Sequence, residues 1–310
     1  MLLTSLDNRK VLVTGGTGTI GTQVVHELLS EGAYVTVYSR DQNKQFKMNY
    51  DLSSKRVTFL NGDIFDREIL GRAMIGIDYV VHCAASKHVP LCEQNVDSAI
   101  KVNVEGTRNV LICAADNGIK KVLCLSTDKA VYPAGVMGST KFLAERLALE
   151  FNKQVFCSVV RLGNVFASNG SVVPTYLDRI KLGLPLIVND ERTVRYFISK
   201  RECGQFIVSC LKYMLGGEIF VKKMKYMTIR QLAEVMKPNP EYPVSVSNLG
   251  HGEKVKENLI TTDEARHVID RGDYVEINYS KLGSMNSFES SRIEQFTDDE
   301  IRTMLKEALR

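Results

Sequence analysis

The first half of the chain alternates short apolar runs with longer stretches in which apolar residues return every three or four positions. Lys10–Thr14 (KVLVT), Ala33–Tyr38, Val57–Leu60, Tyr79–His82, Val122–Ser126 and Val155–Arg161 read as strands. Between them, Ile20–Ser30, Glu68–Met74, Ser98–Asn117 and Gly138–Phe151 read as amphipathic helices. Strands apolar on both faces and separated by helices predict an α/β fold built on a doubly wound parallel sheet. Ligands of such a sheet sit beyond the carboxyl ends of its strands. After Arg161 the rhythm breaks. Loops rich in Gly, Asn and Pro, such as Gly163–Pro174 and Lys237–Pro243, separate shorter elements. The pattern predicts a nucleotide-binding domain over residues 1–165 and a smaller substrate lobe over residues 166–310. A helix over Glu202–Tyr213 is expected to return to the first domain. The polar stretch Asn278–Arg310 is expected to end in an amphipathic helix, Asp298–Leu309.

Composition then narrows the function classes. A chain of 310 residues, 44% apolar and 25% charged, suits one large α/β unit or two joined lobes. The net charge of +4 comes from 40 basic and 36 acidic residues spread along the chain, which argues against a nucleic-acid partner. A small local phosphate pocket remains compatible with it. No run approaches the roughly 18 apolar residues of a membrane span, and Met-Leu-Leu at the start is too short for a secretory core. A soluble cytoplasmic protein is expected. The seven Cys show neither C-x-x-C nor metal-ligand spacing, so buried reduced thiols and no metal site are expected.

Thr14-Gly-Gly-Thr-Gly-Thr-Ile-Gly21 lies between the first strand and the first helix. It satisfies G-x-G-x-x-G through Gly16, Gly18 and Gly21, and G-x-x-G-x-x-G through Gly15, Gly18 and Gly21. A tight turn, close backbone approach to a pyrophosphate and the free amides of a helix N-terminus all require glycine there. The second strand ends in Tyr38-Ser39-Arg40, where a carboxylate is expected when a ribose 2′-hydroxyl is bound. Ser39, Arg40 and nearby Lys44 suit a 2′-phosphate instead, which favours NADP; the alternative is a solvated basic turn with Asp41 serving NAD. Asp63, after the third strand, is either an adenine contact or a turn aspartate. At the end of the fifth strand stand Ser126, Thr127, Asp128 and Lys129, with Lys141 on the next helix 14 residues after Thr127. A hydroxyl, an acid and two amines at that place have the parts for proton shuttling beside hydride transfer.

The glycine loop, Cys83-Ala-Ala-Ser-Lys-His-Val-Pro90, Leu125-Ser-Thr-Asp-Lys-Ala130, and Arg161-Leu-Gly-Asn-Val165 with Gly170-Ser171 together resemble one family. They are similar to the UDP-N-acetylglucosamine 4,6-dehydratases of bacterial surface-glycan pathways, which are extended short-chain dehydrogenase/reductases of Rossmann type. Gly217-Glu-Ile-Phe-Val221 and Gly252-Glu-Lys254 with Glu257 extend the likeness to about residue 277. The resemblance implies that NADP takes a hydride from C4 of the sugar, that Lys129 removes the C5 proton, and that Asp128 protonates the departing C6 hydroxyl. Hydride returns to C6, the product being a 4-keto-6-deoxy sugar. Thr127 would bond the C4 oxygen. A neutral amine base needs a depressed lysine pKa, expected from burial of Lys129 beside Lys141 and the cofactor.

The resemblance also carries dinucleotide contacts to Gly15, Thr17, Gly18, Thr19, Ile20, Gly21, Ser39, Arg40, Lys44, Asp63, Ile64, Ala84, Ala85, Lys87, Asn103 and Lys141. Substrate contacts fall on Lys87, His88, Asn164, Ser171, Val172, Arg195, Lys254 and Glu257. Arg195 and Lys254 either face the diphosphate or are surface charges; His88 borders the sugar or is a packed histidine; Asn103 serves the site or packs a helix interior. One position departs from the superfamily. The tyrosine expected four residues before Lys141 is Met137, which leaves Lys129 or a water ordered by Asp128 to accept the C4 hydroxyl proton. A 4-epimerase, a 4-ketoreductase and a non-enzymatic NADP-binding regulator are the alternatives. Homo-oligomerisation through the helices at Ser98–Asn117 and Gly138–Phe151 is expected.

Overall fold

The computed structural model describes residues 4–281 and 293–309. Strands β1 (Lys10–Thr14), β2 (Tyr34–Ser39), β3 (Val57–Asn61), β4 (Tyr79–His82), β5 (Lys121–Thr127) and β6 (Phe156–Leu162) are the apolar runs of the sequence, each within a residue or so of its expected ends. Val11, Leu12 and Val13 are fully buried, as a strand covered on both faces requires. Each such side chain contributes on the order of 1.5–3 kcal/mol by leaving water. The helices between them are α1 (Thr19–Ser30), α2 (Gln42–Leu52), α3 (Arg67–Ala73), α4 (Val89–Gln94), α5 (Val96–Ile100), α6 (Gly106–Asp116) and α7 (Val136–Phe151). The helix expected over Ser98–Asn117 starts earlier and is broken by a π turn at Lys101–Glu105, a feature that often sits near functional residues.

The second half contains β7 (Asn164–Val165), α8 (Val172–Lys181), β8 (Leu186–Asn189), β9 (Val194–Ile198), α9 (Lys200–Tyr213) and β10 (Ile219–Lys222). It continues with β11 (Tyr226–Thr228), α10 (Ile229–Met236), β12 (Val244–Ser247), β13 (Val268–Asp270), β14 (Tyr274–Ile277) and α11 (Asp298–Ala308). The main sheet has nine strands in the order β3-β2-β1-β4-β5-β6-β10-β14-β13. Neighbours from β3 to β10 pair in parallel, while β14 runs antiparallel to both β10 and β13. The expected doubly wound sheet is therefore present, with strand order reversing beside β1, where ligands of such sheets bind.

The division at residue 165 needs correcting, because the chain interleaves. Strands β10, β13 and β14, placed in the substrate lobe by sequence pattern, complete the main sheet. Ile219, Val221, Val268, Val275 and Ile277 are wholly buried, so the sheet edge offers them an apolar surface that the small lobe does not. Helix α9 packs along α1, with Gly204 against Gln23 and a Lys212–Glu31 ion pair at 2.8 Å. What remains of the second lobe has its own core: Phe166, Tyr176, Leu186, Val188, Phe197, Met227, Leu232 and Ile301. This lobe begins at β7, immediately after β6 ends, and so stands over the carboxyl end of the sheet. All seven cysteines are free, six of them buried. Among the described residues no helix is long and apolar enough to cross a membrane.

Candidate active site

A cleft of about 780 Å³ runs along the carboxyl ends of β1, β2, β4 and β5 to the first turns of the small lobe. Its dinucleotide-sized part is shaped by the glycine loop. Gly15 sits at φ +64°, and a Cβ there would lie 2.7 Å from the Ala84 amide nitrogen. Only glycine allows that approach. Beneath the loop, Thr14 Oγ1 bonds His82 Nδ1 (2.7 Å) and His82 Nε2 meets Thr107 Oγ1 (3.0 Å), tying β1, β4 and α6 together. Burial, then the Lys141 charge, pushes the His82 pKa down to about 3, so the bridge is neutral. Helix α1 begins at Gly18 without a side-chain cap, leaving its first amides for an anion.

Gly15, Thr17, Gly18, Thr19, Ile20, Gly21, Ser39, Arg40, Lys44, Asp63, Ile64, Ala84, Ala85, Lys87 and Lys141 all line this cleft. Ser39 is buried and fixed by Gln45, whose Nε2 donates to its hydroxyl (2.9 Å). Arg40 is exposed and pairs with Asp63 at 3.4 Å. Asp41 lines the cleft too, and there it caps α2 by accepting from the Lys44 amide (3.0 Å) and pairs with the Lys44 ammonium. Asn103 does not line the cleft. It lies in the π turn, fully buried, and clamps the loop after β4 by accepting from the Ser86 amide (2.7 Å) and donating to Ser86 O (3.0 Å).

The groups expected to handle protons sit where β5 ends. A 3₁₀ turn over Asp128–Ala130 follows the strand, and a Cβ at Gly138 would collide with the Lys129 carbonyl. Glycine therefore lets α7 press against this turn. Asp128 is fully buried; its Oδ1 accepts from Thr127 Oγ1 (2.9 Å) and from Lys129 Nζ (3.0 Å), while its Oδ2 has no hydrogen-bond partner among the described residues. Lys129 Nζ also reaches Asn164 Oδ1 (3.4 Å) and stands 3.7 Å from Glu257 Oε1. The expectation of a lysine buried beside another amine is met differently. The immediate charged neighbours of Lys129 are carboxylates, and the amine that burial pushes below its ordinary pKa is Lys141, whose Nζ donates to Leu125 O. Met137 is buried at the cleft wall, packed with Cys92 and Ala99.

Lys87, His88, Asn164 and Ser171 line the end of the cleft nearest the small lobe. Burial pushes the Lys87 ammonium pKa down, and its Nζ donates to Asn169 O (2.6 Å). Val172 opens α8 but does not line the cleft. Arg195 and Lys254 stand back from it as well. The Arg195 guanidinium donates to Val194 O and Val255 O, and Lys254 donates to Val131 O and Tyr132 O. Backbone carbonyls hold both cations where a diphosphate contact was expected. Ser126, legible in the sequence as part of the strand-end cluster but given no role there, lines the cleft with a buried hydroxyl that has no hydrogen-bond partner among the described residues. A hydroxyl closing an otherwise apolar strand was the available signal.

Comparison with known proteins agrees with this geometry. Residues 11–279 match the model of a family described as polysaccharide biosynthesis protein. A UDP-N-acetylglucosamine 4,6-dehydratase (inverting) of Campylobacter jejuni is 37% identical over 88% of this chain and 84% of its own. A UDP-glucose 4-epimerase of Rickettsia canadensis is 33% identical over 96% of this chain and 93% of its own. The X-ray structure of Pen from Bacillus thuringiensis superposes with a TM-score of 0.92 at 30% identity, covering 98% of this chain and 99% of that one. The chain belongs to this polysaccharide biosynthesis family, and its fold is the Rossmann-type extended short-chain dehydrogenase/reductase fold.

Proposed function

We propose that the protein is a 4,6-dehydratase that holds NADP and acts on UDP-N-acetylglucosamine. One observation carries the reading: a fully buried carboxyl, Asp128, bonded to an amine, Lys129, at the cofactor end of the sheet, with Met137 where a proton-exchanging tyrosine is expected. An acid and a base side by side suit loss of water. A 4-epimerase exchanges a proton only at the C4 oxygen and needs no acid and base at C5 and C6, and the missing tyrosine weighs against the reading that the Rickettsia relative would favour.

The lining of the cleft fits a nicotinamide dinucleotide, with Gly15, Gly18 and the start of α1 at the pyrophosphate. Ser39, Arg40 and Lys44 would take a 2′-phosphate, since Asp41 is spent on capping α2. When bound, the nicotinamide supplies reversible hydride acceptance at C4 of the sugar and return at C6. Thr127 then offers its hydroxyl to the C4 oxygen. The C4 hydroxyl proton would leave to a water ordered by Asp128. With C4 at the ketone level the C5 proton is acidic, and Lys129 would take it while Asp128 delivers a proton to the C6 hydroxyl, which leaves as water. C5 regains a proton from Lys129 or water once hydride is back on C6. The 3.0 Å bond between Lys129 Nζ and Asp128 Oδ1 arms both groups at once. One proton moved along it gives a neutral amine and a protonated acid. The hydroxyls of Ser126 and Ser171, buried at the cleft lining with no hydrogen-bond partner among the described residues, would pair with sugar or nucleotide oxygens if they turn toward the cleft. Self-association is assigned to the α5 and α7 face, where Val96, Ile100 and Leu143 are exposed.

Incubation with UDP-N-acetylglucosamine and no added cofactor tests the reading. A product lighter by one water, with NADP released on heat denaturation, is expected. An isobaric product, or steady consumption of NADPH, would replace dehydration with epimerisation or reduction.

A further inference from the structure

Two lysines and two carboxylates from distant parts of the chain meet behind the cleft, and of the four only Lys129 lines it. Asp128 and Lys129 form the turn after β5, whereas Lys254 and Glu257 lie between β12 and β13. That later segment is docked through its backbone. Val194 donates its amide to Val255 O (2.9 Å), and Val194 pairs with Lys256 as an isolated parallel bridge. Glu257 emerges only 2% exposed, with Oε1 3.7 Å from Lys129 Nζ and Oε2 2.7 Å from Lys254 Nζ. Oε2 is thus ion-paired with Lys254 and has no hydrogen-bond partner among the described residues. Burying a carboxylate is costly, and where only stability matters apolar residues of like volume do as well as an ion pair. This carboxylate is instead held against an amine that opens into the cleft.

We infer that Glu257 is a positioning residue whose carboxylate sets the charge of Lys129, with Lys254 opposing it. The small lobe thereby supplies the counter-charge for the proton acceptor of the other lobe. The arrangement stands on geometry; its use rests on the dehydratase reading. In that use the C5–H bond breaks, its electron pair stays on the sugar in conjugation with the C4 ketone, and the proton arrives on Lys129 Nζ. An ammonium then forms in a cleft filled by cofactor and sugar, and the fixed Glu257 charge favours its formation. No bond to Glu257 forms or breaks. The other groups around Lys129 are Asp128 on its own turn, Lys141 from α7, Lys254 behind Glu257, and neutral Asn164 and Met137. The phenol of Tyr196 on β9, its pKa raised by burial and then by Asp128, stays neutral too.

The test titrates Lys129 directly, by NMR of the reductively ¹³C-methylated full-length protein, the resonance being assigned by its loss in Lys129→Arg. Glu257→Gln should move the Lys129 midpoint to lower pH by about one pH unit, a tenfold change in ionisation. Lys254→Gln should move it the opposite way, and Glu257→Asp should restore most of the wild-type value. A purely structural Glu257 would lower the melting temperature of both Gln variants and leave the midpoint still; that result overturns the inference. Should Glu257→Gln fail to fold, the upward shift in Lys254→Gln and the Glu257→Asp midpoint decide the matter alone. With UDP-N-acetylglucosamine in deuterated water, Glu257→Gln should slow C5 exchange on the order of 10²-fold, its pH profile shifting with the midpoint. C4 oxidation, read as bound reduced nicotinamide, should change far less. A wild-type protein that titrates this way but exchanges nothing at C5 sinks the dehydratase reading and leaves the charge arrangement standing. Exchange unaltered in Glu257→Gln overturns the arrangement while the dehydratase reading survives.

Discussion

Arg161 and Lys129 occupy neighbouring places at the ends of β6 and β5, and each faces two carboxylates, one of them from the late segment of the chain. Arg161 is saturated. Its Nε and both terminal nitrogens make five hydrogen bonds, to Glu145, Glu264 and Leu259 O, at 2.8–3.1 Å. Glu264 receives two more, from the Thr261 amide and the Tyr279 hydroxyl. Lys129 makes one short bond to Asp128 and a long one to Asn164, and stands off Glu257 at 3.7 Å. Among the described residues Asp128 Oδ2 makes no hydrogen bond, and Glu257 Oε2 faces the Lys254 ammonium at 2.7 Å. The difference separates holding from reacting. A guanidinium keeps its proton under all working conditions and fixes geometry through its fork, whereas an ammonium can give a proton up. The complete network fastens the late segment to the core, and the less complete one is the one to which the proposed function gives proton transfer.

The sharpest way to break the contrast is to remove Lys129. Lys129→Ala should lower dehydration and C5 exchange by about 10²–10⁴-fold, the usual cost of losing a general base. NADP binding and the fold should persist, checked by cofactor release and circular dichroism. Wild-type exchange in that variant would remove Lys129 from its role.

The complementary change is Arg161→Gln, which leaves Glu145 and Glu264 buried without their cation. A loss of about 3–5 kcal/mol is expected from denaturant unfolding, with substrate affinity falling as the segment over residues 259–264 loosens. The pH dependence has a definite sign. Burial alone would raise the Glu264 pKa, but the Arg161 bonds outweigh it and hold the carboxyl below its ordinary value. Its stabilisation is therefore complete above the ordinary carboxylate range and is lost only as pH falls through the lower folded value. The wild type should keep this contribution in full down to about pH 4 and lose it progressively on further acidification; the variant should lack it at every pH. An acid unfolding curve of unchanged shape would contradict this.

An exposed ion pair provides the third term of the comparison. Arg40 and Asp63 lie 3.4 Å apart, the arginine side chain 69% exposed, and such pairs carry about 0–1 kcal/mol. Arg40→Ala should hardly alter stability, yet weaken NADP roughly tenfold, about 1.4 kcal/mol, with little effect on NAD. Equal affinities for the two cofactors in the unmodified protein, by calorimetry, would remove the 2′-phosphate assignment.

Legibility followed locality. Strands β1 to β6 announced themselves because burial on both faces demands unbroken apolar runs such as KVLVT. Helix α2 was invisible, since it buries Gln45 and Met48 and exposes Phe46 and Tyr50, the reverse of an apolar stripe. Strands β10, β13 and β14 are three or four residues long, and which sheet they join is decided by tertiary packing. In the site, contiguous groups were readable: the glycine loop, and Ser126 to Lys129. The pairing of Arg161 with Glu264, and of Lys129 with Glu257, spans a hundred residues or more. No spacing rule encodes it.

The smallest effect is expected at Met137, and it decides whether the incomplete network needs a titrating neighbour. Met137 is buried with Cys92 and Ala99 beneath it. It also borders a crevice of about 10 Å³, shared with Lys129, Lys254, Gly135 and Gly252, which is room for about one water. A thioether neither ionises nor donates a proton, so its contribution is to fill space and shape the wall. Leucine keeps nearly the same volume, and Met137→Leu should cost below roughly 1.5 kcal/mol of stability. Activity should stay within about tenfold of wild type, roughly 1.4 kcal/mol of barrier, with the pH profile unmoved. Set beside Lys129→Ala, the pair of variants separates shape from proton transfer at one wall of the cleft. A loss on Met137→Leu as large as that on Lys129→Ala, in a protein that melts normally and keeps its NADP, would mean that the wall itself sets the chemistry. The division between a holding and a reacting network would then have to be drawn elsewhere.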